Sequence, residues 1–252
     1  MKSVAPSLLS LGLLSCSICL TAADKSLSLL DAEAHGIGVL NVRPAASWFL
    51  DLRLSAGQEP FFKQYAYDRT DSSGLTNKTT LTSDPGKSLE IYHLELVAQA
   101  YPRGGRIGMV MGIGCFAGTI RAGGQADTYH GYVGGAEAKL GVALRLTPKV
   151  HLELAPFVGV GRNMYSVEGG NFDGSDARGY GRFLTYGVGA SGFYTAESGL
   201  QIGATAGYVT NDSHATIDYN SDILGTPGTT GKARLSGTVS GAYGTLSIGV
   251  RF

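Results

Sequence analysis

From residue 46 onward, large apolar side chains fall at every second position in eight separate stretches, and this pattern excludes most folds. A helix repeats every ~3.6 residues, so a sustained period of two specifies β-strands with one apolar face and one polar or empty face. Length narrows the choice further. Strands of soluble proteins mostly run ~5–6 residues, whereas these stretches run ~10 or more, which a tilted strand needs to cross a bilayer.

The first stretch sets Trp48, Leu50, Leu52 and Leu54 against Phe49, Asp51, Arg53 and Ser55. The second sets Tyr92, Leu94, Leu96, Ala98 and Ala100 against His93, Glu95, Val97 and Gln99. The third carries Ile107, Met109, Met111, Ile113 and Cys115, and the fourth opposes Leu140, Val142 and Leu144 to Glu137, Lys139 and Arg145. The fifth opposes Val150, Leu152, Leu154, Val158 and Val160 to His151, Glu153 and Phe157. Two further stretches carry Leu184, Tyr186, Val188 and Ala190, then Leu200, Ile202, Ala204, Ala206 and Tyr208. The eighth runs from about Leu235 and finishes on Leu246, Ile248, Val250 and Phe252, with Arg251 on its other face.

The connectors alternate in length. Short ones fall at 102–105, 147–149 and 195–199; longer ones lie at roughly 56–88, 122–131, 167–181 and 210–232. Turn lengths predict Tyr101 opposite Arg106, Leu146 opposite Val150 and Tyr194 opposite Leu200, so that His93 faces Gly114, Glu95 faces Gly112 and Gln99 faces Gly108. Apolar-face aromatics gather at strand ends, with Trp48, Tyr194 and Phe252 on the short-turn side and Tyr92, Tyr132, Tyr186 and Tyr208 on the long-loop side. Two aromatic belts framing an aliphatic band match two membrane interfaces. The fold class expected is all-β: an eight-stranded antiparallel up-and-down transmembrane barrel over residues 46–252, with short periplasmic turns and longer extracellular loops.

Composition agrees. Glycine accounts for 38 of 252 residues and charged residues for 16%, and no long apolar run follows residue 23. The overall charge is zero, which argues against a nucleic-acid partner. Residues 1–23 read as a signal peptide: Lys2 opens them, an apolar run fills 4–20, and Thr21, Ala22 and Ala23 offer small residues for cleavage. The alternative is lipoprotein processing at Cys16, after Leu13, Leu14 and Ser15. Residues 24–45 are expected to form a periplasmic lead-in or a plug in the barrel mouth. Beyond Cys16 and Cys19 only Cys115 remains, so no disulfide framework or thiol metal cluster is expected, and no cofactor.

The other face holds acids and bases together: Asp51, Arg53, His93, Glu95, Glu137, Lys139, Arg145, His151, Glu153 and Arg251. An eight-stranded barrel is only wide enough for its own side chains. A salt-bridged interior is therefore the reading, with Asp51 and Arg53 near Glu95 and His93, and Arg145 near Glu153; a narrow ion path is the alternative. In the first loop, Phe61, Phe62, Tyr65 and Tyr67 offer a surface for an extracellular ligand or pack on the rim. The Gly/Asp-rich stretch 168–176 lacks the spaced ligands of a calcium loop. Asp212, Ser213, His214 and Asp218 are the candidates for a lipid- or lipopolysaccharide-modifying enzyme, although a serine nucleophile needs its base within hydrogen-bond reach.

These features resemble the OmpA/OmpX-like superfamily of small outer-membrane barrels over about residues 46–252. The resemblance implies an outer-membrane location, contact with outer-membrane lipid, and recognition of the C-terminal strand by the barrel-assembly machinery through Leu246, Ile248, Val250 and Phe252. Its members share architecture more than activity, so it carries no catalytic residue to this chain. No peptidoglycan-binding domain is expected after the barrel. The function expected is structural or surface-interacting, without catalysis.

Overall fold

Alternation of this kind cannot bury one face of an isolated strand, so the strands curl into one closed wall. The computed structural model describes residues 46–60, 64–70, 76–82, 88–123, 127–169, 177–220 and 230–252. The expected leader and the 24–45 segment lie outside these residues, as do Phe61 and Phe62 and positions 170–176. The described strands are β1 (Ala46–Pro60), β2 (Gln64–Thr70), β3 (Thr76–Thr82), β4 (Ser88–Pro102), β5 (Ile107–Gly123), β6 (Asp127–Arg145), β7 (Val150–Gly169), β8 (Ala177–Thr195), β9 (Leu200–Asn220) and β10 (Thr230–Arg251).

Eight of them form an antiparallel ring in the order β1-β4-β5-β6-β7-β8-β9-β10, closed by pairing of β1 with β10 from Asp51 opposite Arg251 to Gln58 opposite Gly244. Closure leaves the ring no free edge over that span. β2 and β3 form a hairpin outside the ring, and β2 pairs with β10 at 232–236, beyond the point where β1 leaves it. This hairpin lies within a stretch read from the sequence as loop.

The register defines the barrel's shape. Trp48 faces Ala100, and the row continues through Met109, Val142, Leu154, Ala190, Ala206 and Gly244 to Gln58, ten positions along β1 from the start. That stagger over eight strands corresponds to a strand tilt of about 40°. Each step to the next strand along the row therefore climbs about one and a quarter residues.

The strands also run farther than the apolar alternation. Positions 127–131, 177–181 and 210–220, assigned to loops from the sequence, are strand. On β9 the outward residues there become polar, at Thr210, Asp212 and His214, so the apolar signal ends while the backbone ladder continues. The turn pairing Leu146 with Val150 forms as predicted, with the Leu146 N–H donating to the Val150 carbonyl at 3.0 Å. The other two registers are corrected by two positions. Glu95 faces Gly114 and His93 faces Phe116, while Gln99 faces Val110 and Tyr194 faces Ile202. A slip of two keeps every side chain on its own face, so alternation is blind to it. Each bend is centred one residue later than predicted, with left-handed Gly104 (φ 71°) and Gly199 (φ 85°) in the turns.

Large side chains fill the outside of this molecule more than its inside. Among the described residues, twenty-nine large hydrophobic side chains are exposed, against fourteen buried hydrophobic ones. Charged groups are buried instead, Asp51, Arg53, Glu59 and Glu153 among them.

Candidate functional site

The interior is organised in layers, from the turn end outward. In the first, the Arg145 guanidinium lies 4.2 Å from the Tyr101 ring centroid and 4.7 Å from that of Phe49. The sequence reading placed Arg145 beside Glu153; the structure stacks it on these rings instead.

The second layer is an ionic network, buried at Asp51, Arg53, Gln99 and Glu153 and partly exposed at Arg251. Arg53 Nη2 donates to Asp51 Oδ2 at 2.6 Å and to Glu153 Oε1 at 2.7 Å, and Nη1 donates to Glu153 Oε2 at 2.9 Å. Arg251 grips the other side of Asp51, Nε to Oδ1 at 2.7 Å and Nη2 to Oδ2 at 3.0 Å. Gln99 donates to Glu153 at 2.6 Å and accepts from Arg251 at 3.0 Å. Two carboxylates thus meet two guanidiniums. Arg53 also lies 3.8 Å from the Phe193 ring centroid, and Phe193 packs over Gly203, where a Cβ would collide with the ring. Asp51, His151 and Glu153 bring three donor atoms close enough for a metal ion, but Arg53 Nη2 already bridges both carboxylates.

The expected partners of Arg53 are therefore corrected. Glu95 is its register neighbour, yet Glu95 pairs with Lys139 at 2.8 Å, and His93 pairs with Glu137 at 2.8 Å. Arg53 instead reaches across the lumen to β7. Sequence offsets identify neighbours along the wall, whereas a barrel this narrow lets long side chains meet across it.

Beyond these pairs lies a cavity of about 60 Å³, lined by Glu59, His93, Glu95, Glu137, Lys139 and Tyr243 among others. Phe116 and Phe183 meet above it with centroids 5.8 Å apart, and Asn211 donates to Glu59 at 3.0 Å. Farther out, Ser213 is hydrogen-bonded to Asn163 and, at 2.7 Å, to the Tyr165 hydroxyl. Gln201, Asn163, Tyr165 and Asn211 were not singled out from the sequence; alternation put Gln201 on the inward face, whereas Asn211 fell in a stretch read as loop.

The catalytic candidates separate across the wall. Ser213 is buried inside, whereas His214 and Asp212 project outward, joined at 3.2 Å. Adjacent residues of a strand point to opposite faces. His214 therefore cannot serve Ser213 as a base. The Asp218 side chain lies outside the described residues, as do those of Tyr65 and Tyr67 on β2.

Outside, exposed aromatics form two partial rings. Allowing for tilt, Trp48, Tyr194 and Phe252 lie at one level and Tyr92, Tyr186 and Tyr208 at another, about 22 Å apart along the axis. Tyr132 is exposed but stands about 10 Å beyond the second ring.

No protein-family model and no curated protein matches the chain. Solved structures resemble it over most of its length. They include Ail, the attachment invasion locus protein of Yersinia pestis (12% identity, 81% of this chain and 99% of that one, TM-score 0.32). They also include Neisserial surface protein A (15%, 82% and 97%, 0.34) and the outer membrane protease OmpT of Escherichia coli (9%, 85% and 99%, 0.41). The barrel assignment itself rests on the closed ladder described above.

Proposed function

We propose that the chain is an outer-membrane protein, a membrane-spanning barrel that acts through its outer wall and far-end loops and whose interior serves stability. One observation carries this reading: an exposed aliphatic band about 22 Å tall lies between two levels of aromatics on a wall closed by the pairing of β1 with β10. An apolar band of ~25 Å with aromatic girdles is the outer surface of known bacterial barrels. In water the same band would be a large sticky patch. Hydrocarbon also requires every backbone group to be paired, which ring closure provides.

The role is structural or surface-interacting. Packing of Arg145, Arg53 and the Phe116–Phe183 pair across the lumen supports a sealed interior over an ion path. Separation of Ser213 from His214 removes the arrangement that a lipid-modifying enzyme at these residues would need. Outer-membrane lipid, the barrel-assembly machinery at β10 and a ligand of the far-end loops are the partners this reading assigns.

Expressed in a Gram-negative host with its leader, the protein should co-sediment with outer membranes and resist alkaline extraction. It should also migrate on gels at different positions before and after boiling. Recovery as a soluble periplasmic species with one gel position overturns the reading.

A further inference from the structure

Above the second aromatic ring, the outer wall carries an arrangement that β-sheets avoid. Arg162 on β7 lies directly opposite Arg182 on β8, and both are exposed. Like charges at directly opposed positions destabilise a sheet, because their Cβ atoms sit only ~4.5–5.5 Å apart. His214 on β9 is the next residue along the same row, opposite Arg182.

Among the described residues, no carboxylate pairs with either arginine. The nearest outward acid, Asp212, lies diagonal to Arg182 and is engaged by Thr238 at 2.7 Å and His214 at 3.2 Å. Two guanidiniums are left side by side, facing out. Each offers a planar fork of donors suited to two phosphate oxygens.

Level and surroundings identify the anion's source. The two arginines stand about 8–11 Å beyond the ring of Tyr92, Tyr186 and Tyr208, at headgroup rather than acyl depth. Directly below them on the same outward face, Val160 is 60% exposed and Val158 48% exposed, a continuous apolar track running down the wall. A molecule that satisfies both parts has a phosphate at the top and an acyl chain beneath it.

We propose that Arg162 and Arg182, with His214 beside them, form a clamp for the phosphate of an outer-leaflet glycolipid whose acyl chain lies along Val160 and Val158. The clamp rests on the membrane reading above and deepens it from general lipid contact to one headgroup at one place. Bound phosphate converts the repulsive arginine pair into a bridged one.

The test is native mass spectrometry of the barrel refolded into phosphatidylcholine nanodiscs doped with lipid A, a phosphorylated glucosamine lipid. Wild type should retain lipid A in preference to phosphatidylcholine. The double variant Arg162→Gln, Arg182→Gln should lower retention about tenfold or more, since both forks are lost. Arg162→Lys keeps the charge and the fold but loses one fork, and should fall between them. Arg103→Gln with Arg106→Gln removes two exposed charges at the opposite end and should change nothing. Equal retention by the Arg162/Arg182 double variant, or an equal loss in the Arg103/Arg106 control, overturns the clamp while leaving the membrane reading intact. Displacement of lipid A by excess inorganic phosphate reassigns the site to free phosphate and overturns the lipid proposal. Failure of wild type to insert into any lipid overturns both.

Discussion

Replacing Arg53 with Met should destabilise the refolded barrel by about 3–5 kcal/mol, the cost typical of removing one partner from a buried ion pair. Arg53 is buried and touches both carboxylates of the second layer. Without it, Asp51 still has Arg251, but Glu153 retains only Gln99 and the adjacent His151. The double variant Arg53→Met, Glu153→Gln should recover part of the loss, because it no longer buries an uncompensated carboxylate. Urea titration read by the shift between folded and unfolded gel bands measures both. A loss below about 1 kcal/mol for Arg53→Met would show that this network does not hold the walls together.

The second large effect lies outside, at Leu140. Its side chain is 58% exposed and falls near the middle of the aliphatic band. For a barrel in lipid, Leu140→Arg should cost about 2–4 kcal/mol, since a charge at the bilayer midplane must be desolvated or dragged toward the interface. For a soluble protein, the same surface substitution should fall within about 0.5 kcal/mol of neutral. Thr216→Arg provides the matched control: it is exposed on the same outer wall but lies well beyond the upper ring, where the cost should be about 0–1 kcal/mol.

Which face each residue occupies was legible from period two alone. Asp51, Arg53, Glu153 and Arg251 were assigned inward, and that is where they meet. Three things were not legible, each for a physical reason. Register at Glu95 and Tyr194 was missed by two, because such a slip leaves both faces unchanged. Strand ends were missed near Asp212 and His214, where the outward face turns polar and only the backbone ladder carries the strand forward. Ion-pair partners were missed because Arg53 and Glu153 are 100 residues apart and meet across the lumen, a relation no local spacing encodes. The β2–β3 hairpin had a weak signal in its Tyr- and Thr-rich strands, residue types that favour sheet.

The chain contains a single tryptophan, Trp48, 60% exposed on the lower aromatic ring. If the band spans a bilayer, Trp48 sits about 13 Å from its midplane, at the interface where tryptophan is enriched. Fluorescence of the protein refolded into vesicles with bromine placed at different acyl depths reads that position directly. The membrane-spanning account predicts blue-shifted emission, quenched most by bromines near the headgroup and least by those at the chain ends. Emission at the wavelength of water-exposed tryptophan, unquenched at every depth, would contradict it.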